Sequence, residues 1–236
     1  MKKIVITQSN YIPWKGYFDL IAMADEIVLY DDVQFTKRDW RNRNQIKTPT
    51  GKIWLTVPVQ TKNKFNQKIS ETLIDNESKW AESHWKAIFL NYSRAPFFKE
   101  IECWLKPIYL DKNQNSLSYL NESLIKAICN YLQIKTLILK SSEFKLDANK
   151  SENLLNICKA RNADEYISGP AAKSYLDLDI FKKHNIKVIW ANYSNYPEYP
   201  QLWNDFYHDV SILDLLFNCG EKTYLYMKHM NMPNKY

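Results

Sequence analysis

Apolar residues recur along the 236-residue chain in two rhythms. Lys3 to Thr7 and Ile27 to Tyr30 are short, nearly continuous apolar runs of strand length. Between them, over Gly16 to Ala24, Tyr17, Leu20, Ile21 and Ala24 fall at the spacing of a helix face. The chain thus opens strand, loop, helix, strand, the signal of a parallel α/β sheet.

Residues 31–43 are polar and irregular. Asn44 to Lys47 and Ile53 to Val57 then flank Pro49-Thr50-Gly51, which predicts a β-hairpin near 44–59. Residues 60–76 read as a polar connection. A helical insertion is expected near 78–133: Trp80, His84, Ala87, Ile88 and Tyr92 share one stripe, and Ser116 is placed to cap a later helix bearing Leu120, Leu124 and Ile128. Further strands are expected at Thr136 to Leu139, Glu165 to Ser168 and Lys187 to Trp190, with helices from Ser151 and over Ile212 to Phe217. The whole reads as one three-layer, Rossmann-like α/β domain over 1–236, its sheet mostly parallel, carrying a β-hairpin and a helical insertion.

Composition narrows the function. No apolar run approaches the roughly 18 residues of a membrane span, and the apolar run at Met1 to Thr7 is too short for a signal peptide, so a cytoplasmic protein is expected. Only four glycines occur, at 16, 51, 169 and 220. They are scattered, which excludes a P-loop and a GxGxxG turn, since both need clustered glycines to bring backbone against phosphate. Four widely separated cysteines, with no CxxC pair, read as buried reduced thiols, and no metal ligand set is expected. The net charge of +6 is concentrated between Thr36 and Lys68, where only Asp39 opposes a run of lysines and arginines. An anionic ligand is expected there, whether phosphate, nucleotide, RNA or an acidic partner protein.

Candidate chemistry follows from these placements. A polar loop between a strand and a helix N-terminus is a natural ligand site, and Gln8, Tyr11, Trp14 and Tyr17 fill it. The HxGH motif that steadies a departing phosphate in nucleotidylyltransferases is absent. Asp31 and Asp32 end the second strand. Alternation puts one of them in the cleft, as a base, a sugar-hydroxyl acceptor, a Mg²⁺ ligand or a turn-forming residue. Lys37, Arg38, Trp40, Arg41 and Arg43 combine guanidinium groups for phosphate with an indole that can stack a base or sugar. His84 is the general-base candidate among four histidines, with Asn91 and Tyr92 farther along its helix. Ser168-Gly169-Pro170 ends a strand and is expected to open a helix whose free N–H groups could receive an oxyanion or phosphate.

Four segments together resemble the WbqC-like protein family, in order and through nearly the whole chain. They are Gln8 to Ile21 with Tyr30 to Phe35; Lys37 to Asn44 leading to Trp54 to Pro58; Trp80, His84 to Lys86, Asn91-Tyr92 and Ala95 to Phe98; and Leu155 to Cys158 through Ser168 to Leu176 to Tyr199-Pro200-Gln201 and Ser211 to Asn218. The first loop departs from the family in carrying Ser9-Asn10 where a proline and an aromatic are more usual. The resemblance implies a place in the synthesis of O-antigen lipopolysaccharide and related surface glycans. It points to an aminoacyl transferase, glycyl or other, acting on the amine of a nucleotide-linked amino sugar. The donor would be a phosphopantetheine thioester on an acidic acyl carrier protein or an aminoacyl-tRNA, with no other cofactor required. The alternatives are a nucleotidyl- or adenylyl-transfer enzyme and a non-catalytic binding subunit of glycan assembly.

Overall fold

A computed structural model describes residues 1–230. In chain order its elements are β1 (Lys3–Thr7), α1 (Lys15–Ala22), β2 (Glu26–Leu29), β3 (Arg43–Thr48), β4 (Gly51–Thr56), α2 (Trp80–Tyr92), α3 (Phe98–Tyr109), α4 (Leu117–Tyr131), β5 (Leu137–Lys140), α5 (Lys150–Ala160), β6 (Glu165–Ser168), α6 (Leu178–Lys183), β7 (Lys187–Trp190) and α7 (Ile212–Cys219).

Five strands form one parallel sheet in the order β5-β2-β1-β6-β7. From β1 the chain works outward through β2 and β5, then returns to β6 on the other side of β1. The order therefore reverses between β1 and β6, and the loops leaving their carboxyl ends diverge. That divergence opens the crevice in which doubly wound sheets take ligands.

Alternation along the strands divides the core in two. Val5, Ile27, Leu29 and Ile167 join a cluster with Phe18, Ile21, Ile125 and Leu216, from α1, α4 and α7. Ile4, Ile6, Val28 and Tyr166 pack on the opposite face with Leu154, Cys158 and Phe181, from α5 and α6. Helices thus cover both faces of the sheet, making the expected three layers.

The hairpin β3–β4 pairs antiparallel from Arg43↔Thr56 to Thr48↔Gly51. Its turn closes at Gly51, whose φ of +117° only glycine adopts without strain. The hairpin and helices α2 to α4 lie between β2 and β5, so the crossover between these neighbouring strands carries the whole insertion. Ser116 caps α4 as expected, accepting from the Tyr119 N–H at 3.3 Å. Asn149, and not Ser151, caps α5. The Ser151 hydroxyl instead accepts from the Asp177 N–H at 3.1 Å and steadies the start of α6.

The expected helix at Gly169-Pro170 is a 3-10 turn over Pro170–Ser174, and α-helix resumes only at Leu178. Three cysteines are buried, and burial pushes the thiols of Cys129, Cys158 and Cys219 up to about 12, as suits packed, reduced side chains; Cys103 is exposed. Among the described residues no helix is long and apolar enough to cross a membrane.

Candidate functional site

The loop after β1 is held from several sides. Asn44 Nδ2 donates to the carbonyls of Tyr11 and Ile12 at 3.3 and 2.9 Å. The Tyr11 N–H donates to the Trp40 carbonyl at 2.9 Å, and the Ile212 N–H to the Pro13 carbonyl at 2.9 Å. Ile12 sits at φ +36°, a conformation that a β-branched side chain adopts only when its surroundings impose it. At the start of α1, a Cβ on Gly16 would lie 2.3 Å from the Trp14 ring, so this glycine is what lets the indole fold back over the helix. Trp14 then meets Tyr193 and Tyr196 edge-on, with ring centroids 5.4 and 5.7 Å away.

Arg41 reaches this loop from the segment ahead of the hairpin. Its Nη1 donates to the side-chain oxygen of Asn10. Its Nη2 lies 3.6 Å from Asp39, and its backbone carbonyl accepts from Asn121 Nδ2 at 2.9 Å. Only 15% of the side chain is exposed, and the buried Nε has no partner. Tyr17 donates its hydroxyl to the Gln8 carbonyl at 3.0 Å. Burial first, and then the charge of Asp31, hold that phenol well above its ordinary pKa; Arg41 and Tyr193 also act on it. Tyr17, Asp31, Arg41 and Tyr193 therefore share one neighbourhood at the carboxyl ends of the strands. Gly169 belongs to it as well, since a Cβ there would meet the Tyr193 hydroxyl at 3.6 Å. Ser168 is buried.

Asp31 is buried beside the same loop. It accepts from the Ser9 N–H at 2.8 Å, from the Ser9 hydroxyl at 2.7 Å and from the Ser118 hydroxyl at the start of α4. Burial raises its carboxyl above the usual range, and the Ser118 and Ser9 hydrogen bonds and Arg41 oppose that rise. Asp32 turns toward β5, where it accepts from Ser141 at 2.6 Å and Ser70 at 3.2 Å. Both carboxylates line one cavity of about 190 Å³, together with Ser118, Lys140 and Ser141. The expectation that only one faces a cleft does not hold, because β2 ends at Leu29 and strand alternation stops before either residue.

A second cavity, of about 270 Å³, is walled by Trp14 and Trp40 with Asn10, Pro13, Asn44 and Asp209. It lies just under the roughly 300 Å³ at which small-ligand pockets begin. Beside it the Arg43 guanidinium stacks on the Trp54 ring at 4.1 Å. Lys37 and Arg38 are exposed.

The remaining expected residues lie elsewhere. His84 is 7% exposed and sits among Tyr11, Tyr109 and Trp80. Its Nδ1 stands 2.8 Å from the Tyr11 hydroxyl, and its ring also hydrogen-bonds the Thr56 backbone. Burial lowers its pKa to about 4. The Tyr92 hydroxyl donates to Asp214 at 2.7 Å and accepts the Lys47 N–H at 2.9 Å. Asn91 hydrogen-bonds within its own helix, to the Ala87 carbonyl. Ser9 and Asn10, noted in the sequence only as a departure from the family pattern in the loop with Gln8 and Tyr11, complete the neighbourhood. Ser118, Asn121 and Tyr193 join them without having been singled out in the sequence. Among the described residues no group of His, Cys, Asp and Glu could hold a metal ion.

Comparison with known proteins bears on the same residues. The chain is 53% identical over 229 residues to the Mycobacterium tuberculosis protein described as "Uncharacterized protein Rv1507c", an alignment that covers 97% of this chain and 99% of that one. No solved structure matches. A family model matches residues 8–226, from the loop after β1 to the segment beyond α7. The chain belongs to the WbqC-like protein family.

Proposed function

We propose that the protein transfers an aminoacyl group, glycyl or other, to the amine of a nucleotide-linked amino sugar in surface-glycan synthesis. One observation carries this reading: Arg41, largely buried at the strand-order reversal, holds Asn10 with one nitrogen and leaves Nε without a partner. A guanidinium with an unused N–H, in a crevice without clustered glycines, suits a sugar diphosphate better than a P-loop nucleotide. The cavity between Trp14 and Trp40 offers aromatic walls of the kind that stack a sugar or a base.

In the proposed step the amine nitrogen attacks the acyl carbon. A C–N bond forms, and the bond from that carbon to the donor's sulfur or oxygen breaks. Asp31, whose proton affinity is raised by burial, takes the proton from nitrogen and returns it to the leaving group. The donor is a carrier-protein thioester or an aminoacyl-tRNA.

Calorimetry with a panel of nucleotide-linked amino sugars, and with ATP and free nucleotides as controls, tests the reading. Micromolar binding of one amino sugar, weakened by Arg41→Ala, is the expected result. Binding of ATP alone would shift the assignment to nucleotidyl transfer, and no binding to any of them would remove the acceptor from it.

A further inference from the structure

The basic segment does not act as one block once folded. Arg41 turns into the crevice. Lys47 is 1% exposed and donates to Gln201 at 2.9 Å and to the Trp203 carbonyl at 3.2 Å. Lys52 pairs with Asp209, and Lys68 lies 3.8 Å from Asp32. Lys37, Arg38, Lys62 and Lys64 remain exposed, with no carboxylate partner among the described residues.

These four lie on two loops that run side by side. Gln34 and Lys68 form an antiparallel bridge, the Phe35 N–H donates to the Gln67 carbonyl at 2.9 Å, and Gln34 Nε2 donates to the Phe65 carbonyl at 3.0 Å. The same ridge exposes three large aromatic side chains: Trp40 at 45%, Trp54 at 43% and Phe65 at 77%. The Trp40 and Trp54 rings lie 5.6 Å apart and 38° from parallel, and Arg43 stacks on Trp54 with its Nε unpartnered. Trp40 also walls the cavity beside Arg41, so the ridge runs into the crevice.

Flat exposed rings interleaved with unpaired cations match a single-stranded nucleic acid, in which planar bases alternate with phosphates. An acidic protein would engage the cations but has no comparable use for adjoining indoles and a stacked guanidinium.

We infer that this ridge binds the single-stranded end of an RNA, and that this RNA is the donor in the transfer reaction. RNA binding stands on the surface alone; the donor role rests on the proposed function. With that donor, the aminoacyl ester at the RNA's 3′ end loses its bond to the ribose oxygen as the new C–N bond forms. The ribose oxygen takes the proton that the amine gives up.

The test is fluorescence anisotropy of the full chain with a labelled single-stranded RNA of about 12 nucleotides ending in CCA. Four phosphate contacts give a slope of log affinity against log salt of roughly −3. Trp40→Ala and Trp54→Ala each weaken binding about tenfold. The double variant Lys37→Glu/Arg38→Glu weakens binding and flattens the slope by roughly 1.4, whereas Lys159→Glu on α5 leaves both unchanged. No binding at low salt overturns the inference. So does binding indifferent to both tryptophans, or binding of an acidic acyl carrier protein in place of RNA. The two readings separate cleanly: RNA bound without any amino sugar sinks the transferase assignment and the donor role with it but leaves the RNA-binding ridge standing, and an amino sugar bound without RNA sinks the RNA inference alone.

Discussion

The Tyr11 hydroxyl stands 2.8 Å from Nδ1 of His84, tying the loop after β1 to helix α2. The imidazole is buried, and burial lowers its pKa to about 4, from the ordinary 6.5. The unfolded chain therefore takes up the proton first as pH falls. The stability this site contributes is fully present above pH 6.5 and is lost as pH falls toward 4. The difference amounts to about 3 kcal/mol. Urea unfolding at about pH 7 and about pH 4.5 should show a smaller acid loss for His84→Gln than for the wild type. Equal losses would mean that the enclosed ring is not held neutral.

Arg41→Ala should weaken amino-sugar nucleotide binding by about 2 kcal/mol, roughly thirtyfold, the usual cost of losing a charged hydrogen-bond donor. Arg41→Lys should recover little of it, because an ammonium cannot hold Asn10 and a phosphate in one plane. Calorimetry reads both, and full recovery by lysine would reduce Arg41 to a point charge.

Asp31→Asn should lower kcat by about 10² or more and change KM less, as expected when a proton acceptor is removed. The wild-type rate should rise with pH through the Asp31 pKa, which lies above the usual carboxylate value of 3.8. The variant should lose that limb of the profile. An unchanged profile would remove Asp31 from proton transfer.

Gly16→Ala should cost about 1–3 kcal/mol of stability, since the new methyl overlaps the Trp14 ring and the indole must leave the helix. Weakened binding in the Trp14–Trp40 cavity should accompany it. A melting temperature equal to the wild type would show that Trp14 repacks freely.

The fold was legible where apolar runs are dense and bounded. Glu165 to Ser168 and Lys187 to Trp190 coincide with β6 and β7, and the hairpin falls where Pro49-Thr50-Gly51 places it. Reading failed where a local rule met tertiary structure. Pro170 reads as a helix start, but the chain makes a 3-10 turn and waits for the Asp177 cap before α6. The candidate site was half legible. Arg41 and Asp31 stand out by residue type and position, whereas Ser118 and Asn121 reach Asp31 and Ser9 across separations of 87 and 112 residues that no local pattern records. Charge was misread in a similar way: Lys47 counts toward a basic surface in the sequence but is sealed inside. His84 carries its burial through contacts with residues 73 and 25 positions away, Tyr11 and Tyr109, which leave no trace in its own helix.

The segment that delivers Arg41 and Asn44 is secured by the far end of the chain. The Ser211 N–H bonds to the Gln45 carbonyl, the Ile212 N–H to the Pro13 carbonyl, and Gln201 accepts from Lys47. A nascent chain that has built β1, β2 and the hairpin therefore still lacks the clamps that set the crevice. Competence arrives late in synthesis, when the residues around 211 emerge and dock; α7, buried along its whole length, arrives with them, so a product truncated before it lacks part of the core as well as a finished site.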